Sequence, residues 1–181
     1  MDGIVTQTRK QMASSSEILT ALVSAAADEG TGAFVLPLRA DRVASVRSVL
    51  ESSSVDEAVL SHAYAWMRKA SDDKLDGMVS VLQSVLQLWA GRELARSPVP
   101  AGGESAAAGE ALLAALLAQP ESGWDAVLAG ATADAQPGLT RALQARMEAV
   151  VLGLANGSYS QRVQAEYLKE IESRVARQWP Q

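Results

Sequence analysis

No charged side chain occurs from position 79 to position 91 of this sequence, a run of thirteen residues. At the helical period, the apolar residues in and just before this run form one continuous stripe: Leu75, Met78, Leu82, Val85, Leu86 and Trp89. The opposite side carries Val81 and Leu88 and is also uncharged. A helix without charge for more than three turns is usually buried, and this run is shorter than the roughly 20 apolar residues that span a bilayer. The sequence therefore predicts a buried central helix at about residues 72–95.

The residues that flank the run suggest where this helix begins and ends. Ser71 is a suitable N-cap, and Asp72 and Asp73 would place negative charge on the first turn. Arg92 and Arg96 would place positive charge on the last turn, which the helix dipole also favours. We expect the helix to begin directly after Ser71.

The composition favours helices throughout the chain. With 181 residues, the chain has the usual size of one domain and can bury a core without a covalent staple. It has no cysteine, which excludes disulfides and thiolate metal sites. Aromatic residues make up only 4%, so aliphatic residues and alanine must supply the core. We predict a single all-α domain of seven to eight helices, arranged as an orthogonal bundle around the central helix.

The N-terminal region is expected to be a helix followed by a loop. Ser14 and Glu17 have the spacing of a capping box, which predicts a helix ending at about Ala27. The next segment, residues 28–39, contains two glycines and a proline and is typical of a loop. We expect three of its side chains to pack against the core: Phe34, Val35 and Leu36. Because Glu17 interrupts the apolar part after Arg9 and Lys10, the region does not resemble a secretory signal, and we expect a soluble intracellular protein.

Two further helix starts precede the central helix. Asp41 is a candidate N-cap for a short helix, and Ser54 with Glu57 forms a second capping box. The helix that follows Ser54 runs directly into Ser71, so these two helices should form a tight pair or one kinked rod.

Residues 97–105 are the clearest linker, with two prolines and two glycines among nine residues. Residues 1–97 and 104–181 are therefore candidate subdomains. Beyond the linker, apolar spacing predicts helices over residues 106–119, around Trp124, and from Leu139 to Leu154. The last helix has apolar residues at every fourth position: Tyr159, Val163, Tyr167, Ile171, Val175 and Trp179. This spacing exceeds the 3.6 period, so the stripe winds around the helix and suits diagonal packing.

Three motifs suggest chemistry, but each has a simpler structural explanation. Asp72, Asp73 and Asp76 form a DDxxD pattern, which can hold magnesium, but a helix N-terminus explains the same acids. His62 is the only histidine, so no histidine pair is present to hold a metal. A Ser/His/Asp triad would have to use this residue, which lies beside an apolar face and is better explained as a partly exposed helix histidine. Residues 156–158 match a glycosylation acceptor and are better explained as a helix stop followed by a Ser158 cap. We assign no catalytic residue, metal ligand or cofactor.

Positive charge is concentrated in the last part of the chain. Residues 139–181 hold six Lys or Arg against four Glu, whereas residues 1–138 hold ten against seventeen acids. In the last helix, glutamates alternate with the basic residues, which is more typical of a solvated face than of a nucleic-acid site. The candidate interaction surface consists of four cations: Arg162, Lys169, Arg174 and Arg177.

Two stretches, residues 74–94 and 157–174, resemble segments of helical proteins of plant and algal chloroplasts. The resemblance implies a plastid location and an accessory or assembly role, without implying a reaction. We therefore expect a non-enzymatic protein that binds a protein partner. The alternative is a carrier or enzyme with a pocket between helices for an apolar or tetrapyrrole-like ligand, which would require a cavity with convergent polar groups.

Overall fold

The fold is built from α-helices. A computed structural model describes the backbone of residues 2–103 and 105–180, and the side chains from residue 14 onward within those ranges. In these residues there are eight α-helices and no strand: α1 Asp2–Ala26, α2 Ala40–Ser52, α3 Glu57–Asp72, α4 Asp76–Arg96, α5 Ala106–Leu117, α6 Trp124–Ala129, α7 Gln136–Gly153 and α8 Tyr159–Gln178. Short 3-10 turns precede α6 and α7, at Glu121–Gly123 and Ala133–Ala135. The all-α prediction is confirmed, and the helix number is within the predicted range.

The chain divides into two compact units, Met1–Leu86 and Gln87–Gln181. The division falls inside α4, whereas the predicted subdomain boundary is the linker, residues 97–105. That linker lies within the second unit and joins α4 to α5. Among the helices described, none is both long enough and apolar enough to cross a membrane.

In the first unit, α1 packs against α2 and α3. Apart from Ser15, the side chains buried in these three helices are aliphatic, and they include Leu19, Leu22, Ala26, Val43, Val46, Leu50, Val59, Leu60 and Ala63. The predicted capping box of Ser14 and Glu17 is wrong, because α1 begins at Asp2 and both residues lie inside it. The predicted end of this helix, at about Ala27, is correct to one residue.

The loop between α1 and α2 is organised by Asp28. Its Oδ1 atom accepts hydrogen bonds from the backbone N–H groups of Gly30 and Thr31, at 2.9 and 3.1 Å, and these bonds lower the pKa of Asp28. The expected packing of residues 34–36 is wrong for Val35 and Leu36, which are 51% and 40% exposed. The loop folds on its own polar groups, and Leu38 is the residue that it buries.

The caps of α2 and α3 also differ from the predicted ones. Asp41 does not cap α2; it lies in the first turn and its Oδ2 is 3.1 Å from Arg42 Nε. At α3 the N-cap is Asp56, whose side chain accepts from Val59 N at 3.0 Å. The predicted box of Ser54 and Glu57 is therefore wrong. Asp56 caps as well as serine does, and it places Glu57 in the first turn.

The central helix begins later than predicted, because α3 continues through Ser71 to Asp72. The amide of Leu75 donates to Ala70 O at 2.7 Å, and that of Lys74 donates to Ser71 O at 3.1 Å. This is the pair of bonds of a Schellman motif, with Lys74 in the left-handed position at φ 59°. Ser71 therefore helps to end α3 and does not cap α4. The predicted burial of α4 is confirmed from Val81 onward, and its buried side chains are Val81, Leu82, Val85, Leu86, Leu88, Trp89, Ala90 and Leu94. The start of the predicted stripe is wrong, because Leu75 precedes the helix and is 54% exposed, and Met78 is only partly buried.

In the second unit, α5 and α7 approach each other through glycine. A Cβ atom on Gly109 would overlap the backbone of Gly138 and Leu139. A Cβ atom on Gly138 would lie 3.1 Å from Gly109 Cα and would overlap the carbonyl of Ser105. Main chain therefore packs on main chain where these two helices cross.

Helix α8 packs against α6 and α7, and its buried residues are Val163, Gln164, Tyr167, Leu168, Ile171 and Val175. The predicted stripe is confirmed in its middle, whereas its two ends, Tyr159 and Trp179, are partly exposed. The predicted Ser158 cap is also confirmed, because its side chain accepts from Gln161 N at 3.2 Å.

Candidate functional site

A pocket of about 220 Å³ lies in the second unit, formed by the end of α4, the segment after it, α7 and α8. Its apolar lining consists of Leu94, Val99, Ala149, Val150, Gly153 and Leu154. Four polar residues complete it: Glu93, Ser97, Arg146 and Gln164. The pocket exists because α4 ends at Arg96 and the Pro-containing segment after it turns Val99 toward α7.

Arg146 is one of the residues that line the pocket, and it is only 4% exposed. Its Nη1 atom donates to the carbonyl oxygen of Leu94, near the C-terminal end of α4. In a continuing helix that carbonyl would accept from the residue four positions later, but this residue is Pro98, which has no N–H. Arg146 therefore supplies the donor that the backbone cannot.

The charge of Arg146 is only partly compensated. Its Nη2 atom lies 3.7 Å from Glu110 Oε2, which is longer than a good charge-assisted hydrogen bond. Within the described residues, Arg146 Nε and Glu110 Oε1 are buried without a hydrogen-bond partner. Burial lowers the pKa of Arg146, and the nearby Glu110 carboxylate opposes that change. The guanidinium is thus a desolvated cation held beside one carboxylate.

The other polar residues of the lining are Gln164, Glu93 and Ser97. Gln164 is buried on α8, and Glu93 is 3.3 Å from Arg96 in an ion pair along α4. Ser97 is the only hydroxyl in the lining, and the single histidine, His62, belongs to α3 in the first unit. The arrangement is suited to binding a small apolar group with a polar edge.

The four cations of the candidate interaction surface differ in their exposure and in the groups that they contact. Arg162, Lys169 and Arg177 are exposed on α8. The Nε atom of Arg162 is 3.0 Å from Glu166 Oε1, and Arg177 Nε lies 3.5 Å from the carbonyl oxygen of Ser173. These three residues lie on the solvent side of α8.

Arg174, the fourth cation, is held inside the second unit. Its Nη2 atom is 2.8 Å from Glu121 Oε1, and its Nη1 atom is 3.2 Å from Asp125 Oδ1. Its Cζ atom lies 5.6 Å from the centre of the Trp124 ring, within cation-π range. Gln87 Nε2 donates to the second oxygen of Glu121 at 3.1 Å. Arg174 therefore joins α8 to the turn before α6 and is set apart from the other three cations.

The motifs that suggested chemistry are explained by local structure. Asp72 ends α3 and Asp76 begins α4, and both are exposed, as is Asp73 between them. Among the described residues, no group of three acids or histidines is arranged to hold a metal ion. His62 is partly buried, and its Nδ1 has no hydrogen-bond partner within the described part of the protein.

Sequence reasoning missed Arg146 and Gln164, although the sequence holds a signal for both. Arg146 lies at helical spacing between Leu143 and Val150, inside an apolar stripe. Gln164 lies four residues before Leu168, also on a buried face. A polar residue in an apolar stripe marks a buried polar contact, because burial without a partner is costly.

Comparison with known proteins does not add an identity to this geometry. The chain matches no protein-family model, and neither a curated protein nor a solved structure is significantly similar to it.

Proposed function

We propose that this protein is a non-enzymatic interaction protein whose second unit binds an apolar side chain of a partner protein in the pocket at Arg146. The observation that carries the proposal is the pocket itself, which combines an aliphatic lining with four polar residues, two of them the buried Arg146 and Gln164. Protein interfaces are often anchored in this way, by one buried side chain with polar contacts around it.

The volume of the pocket favours a side chain over a larger ligand. At about 220 Å³, it is smaller than the roughly 300–1,000 Å³ of most pockets that enclose drug-sized molecules. A tetrapyrrole would need more space, and no Trp or Tyr is among the lining residues. The alternative function that this volume still allows is the carriage of a small apolar molecule.

The plastid location and the assembly role implied by the resemblance of residues 74–94 and 157–174 are part of this proposal. Residues 87–94 of the first stretch and the whole of the second lie in the unit that contains the pocket. The partner is therefore to be sought in a plastid extract.

The decisive experiment fills the pocket from its rim. Gly153 lines the pocket, is exposed at the end of α7, and has no neighbouring atom within 4 Å of a Cβ position. Because Gly153 belongs to the lining, Gly153→Phe should obstruct the pocket, and because the space around its Cβ is open, the core should be undisturbed. The immobilised full-length protein should recover a partner protein from the extract, and this substitution should lower recovery by roughly tenfold or more, as loss of a hot-spot contact does.

Gly77→Phe is the matched control. Gly77 is also exposed and helical, has the same open space, and lies in the first unit. Recovery should be the same for this variant and the unmodified protein. Equal recovery by all three baits would refute the proposal. A small molecule that native mass spectrometry detects on the unmodified protein, and that Gly153→Phe displaces, would support the carrier instead.

A further inference from the structure

The turn between α7 and α8 holds the only asparagine of the sequence, Asn156, followed by Gly157. The amide of Ser158 donates to Ala155 O at 3.1 Å, and Gly157 has φ 80°. These are the features of a type II turn, with glycine at the position that needs a positive φ. Asn156 and Gly157 are both exposed.

Gln161 holds this turn through its side chain. In a capping box, the side chain three residues after the N-cap accepts from the N-cap amide. Here the amide of the N-cap, Ser158, is already bonded to Ala155 O, and Gln161 Oε1 accepts from Gly157 N at 2.9 Å. Its Nε2 atom donates to Val151 O near the end of α7, at 3.1 Å. One side chain thus joins the turn to both helices.

We propose that Asn156 is a site of spontaneous deamidation and that Gln161 controls its rate. In this reaction the backbone nitrogen of Gly157 loses its proton to water and attacks Cγ of Asn156. The new C–N bond closes a five-membered succinimide, and the bond between Cγ and Nδ2 breaks to release ammonia. Water then opens the ring at either carbonyl and leaves aspartate or isoaspartate. No electron transfer is involved, and water is the only co-reactant.

Two features of the turn bear on the rate in opposite directions. Gly157 has no Cβ, so its nitrogen is sterically open to the neighbouring side chain. However, its N–H must leave Gln161 Oε1 before the nitrogen can be deprotonated and turn toward Cγ. Losing one such hydrogen bond changes an equilibrium by about two- to tenfold. Gln161 therefore slows a reaction that the Asn-Gly sequence would otherwise favour.

The products would alter the second unit locally. Aspartate adds a negative charge just before the N-terminus of α8, where the helix dipole favours it. Isoaspartate adds one backbone methylene to the turn. Because α7 and α8 both line the pocket, the isoaspartate form changes the link between two of its walls.

The test follows Asn156 during incubation of the folded full-length protein at mildly alkaline pH. Trypsin releases residues 147–162, and liquid chromatography with mass spectrometry separates the asparagine, aspartate and isoaspartate forms of this peptide. Gln161→Ala should deamidate about two- to tenfold faster than the unmodified protein. Gln161→Glu keeps an oxygen acceptor for Gly157 N–H but loses the donor to Val151 O, so its rate should lie between those of the unmodified protein and Gln161→Ala. The protein unfolded in denaturant gives the unprotected rate.

Ser158→Ala separates the action of Gln161 from fraying of α8. This variant loses the bond from Gln161 N to the Ser158 side chain and keeps the Gln161 acceptor. It should deamidate more slowly than Gln161→Ala. Equal rates for Gln161→Ala and the unmodified folded protein would overturn the proposal. It would also be overturned if Ser158→Ala matched Gln161→Ala, or if the folded and unfolded forms reacted equally fast.

Discussion

The two units achieve close packing by different means. In Met1–Leu86, buried leucine, valine and alanine side chains fill the space between helices, and Gly32 and Gly77 have no atom within 4 Å of a Cβ position. In Gln87–Gln181, two glycines bring the backbones of α5 and α7 together. Close packing in the first unit therefore depends on the size of the buried side chains. In the second unit it depends in addition on the absence of a side chain at Gly109 and Gly138.

The largest expected effect concerns side-chain packing at the start of the second unit. Trp89 is 4% exposed, and Trp89→Ala should destabilise the fold by about 3 to 5 kcal/mol, as deletion of a large buried aromatic does. Chemical denaturation measures the change. Trp179→Ala, at a partly exposed position, is the control and should cost much less. Equal costs for the two variants would mean that α4 is not part of a core.

The difference between the units is tested directly by adding a methyl group to glycine. Gly109→Ala or Gly138→Ala should destabilise the fold by about 3 kcal/mol or more, because the new Cβ meets backbone that no rotamer change can move. Gly77→Ala, in the first unit, should stabilise it by about 0.5 to 1 kcal/mol. Thermal unfolding compares the three variants. If the change in stability is small for all three variants, the two units do not differ in how they pack.

A smaller effect is expected at the end of α3, where a lysine occupies a position that favours glycine. Lys74→Gly should raise stability by about 0.5 to 1 kcal/mol, since a left-handed conformation strains any residue with a Cβ. Arg68→Gly, on the exposed side of α3, should instead cost about 1 kcal/mol. A loss of stability in both variants would show that Lys74 carries no relievable strain.

The smallest effects are expected for two aspartates, and their signs should be opposite. Asp72 lies in the last turn of α3, where the dipole disfavours an acid, and Asp76 lies in the first turn of α4, where the dipole favours one. Asp72→Ala should stabilise and Asp76→Ala should destabilise, each by about 0.3 to 1 kcal/mol at low salt. Magnesium should leave both melting temperatures unchanged. A shared sign, or a magnesium-dependent rise, would contradict the assignment of these residues to two helix ends.

Side-chain pattern made part of this fold predictable from sequence. The uncharged run of α4 predicted its burial, and the spacing of Val163, Tyr167 and Ile171 predicted the buried face of α8. The start of α4 was not predictable in this way, because Ser71 could either belong to the end of α3 or cap the start of α4. The backbone hydrogen bonds from Leu75 to Ala70 and from Lys74 to Ser71 assign it to the end of α3. Glycine carries no hydrophobic signal, so neither Gly109 nor Gly138 could be identified as a contact.

The candidate site was predictable to a smaller degree. Helical spacing predicted that aliphatic residues of α7, such as Val150, would lie on its buried face. It did not indicate that α4 and α8 would leave a pocket beside them. Arg146 interrupts an apolar stripe, which indicates a buried polar contact without identifying the acceptor. Its acceptor is the backbone carbonyl oxygen of Leu94, which is available for this bond because α4 ends at Arg96. Arg174 was assigned to a solvated surface, because its partners are far away in the sequence.

The bond from Arg146 to Leu94 has a consequence for how the protein opens. The last turn of a helix commonly frays, and its amides exchange with solvent quickly. Here a side chain of α7 closes the end of α4, so those amides should exchange only when α7 itself separates. In the described part of the segment after α4, residues 97–103, the prolines and glycines are exposed, and this is where a protease would enter. The rate of amide hydrogen exchange should therefore change from slow to fast close to Ser97, within a few residues along the chain.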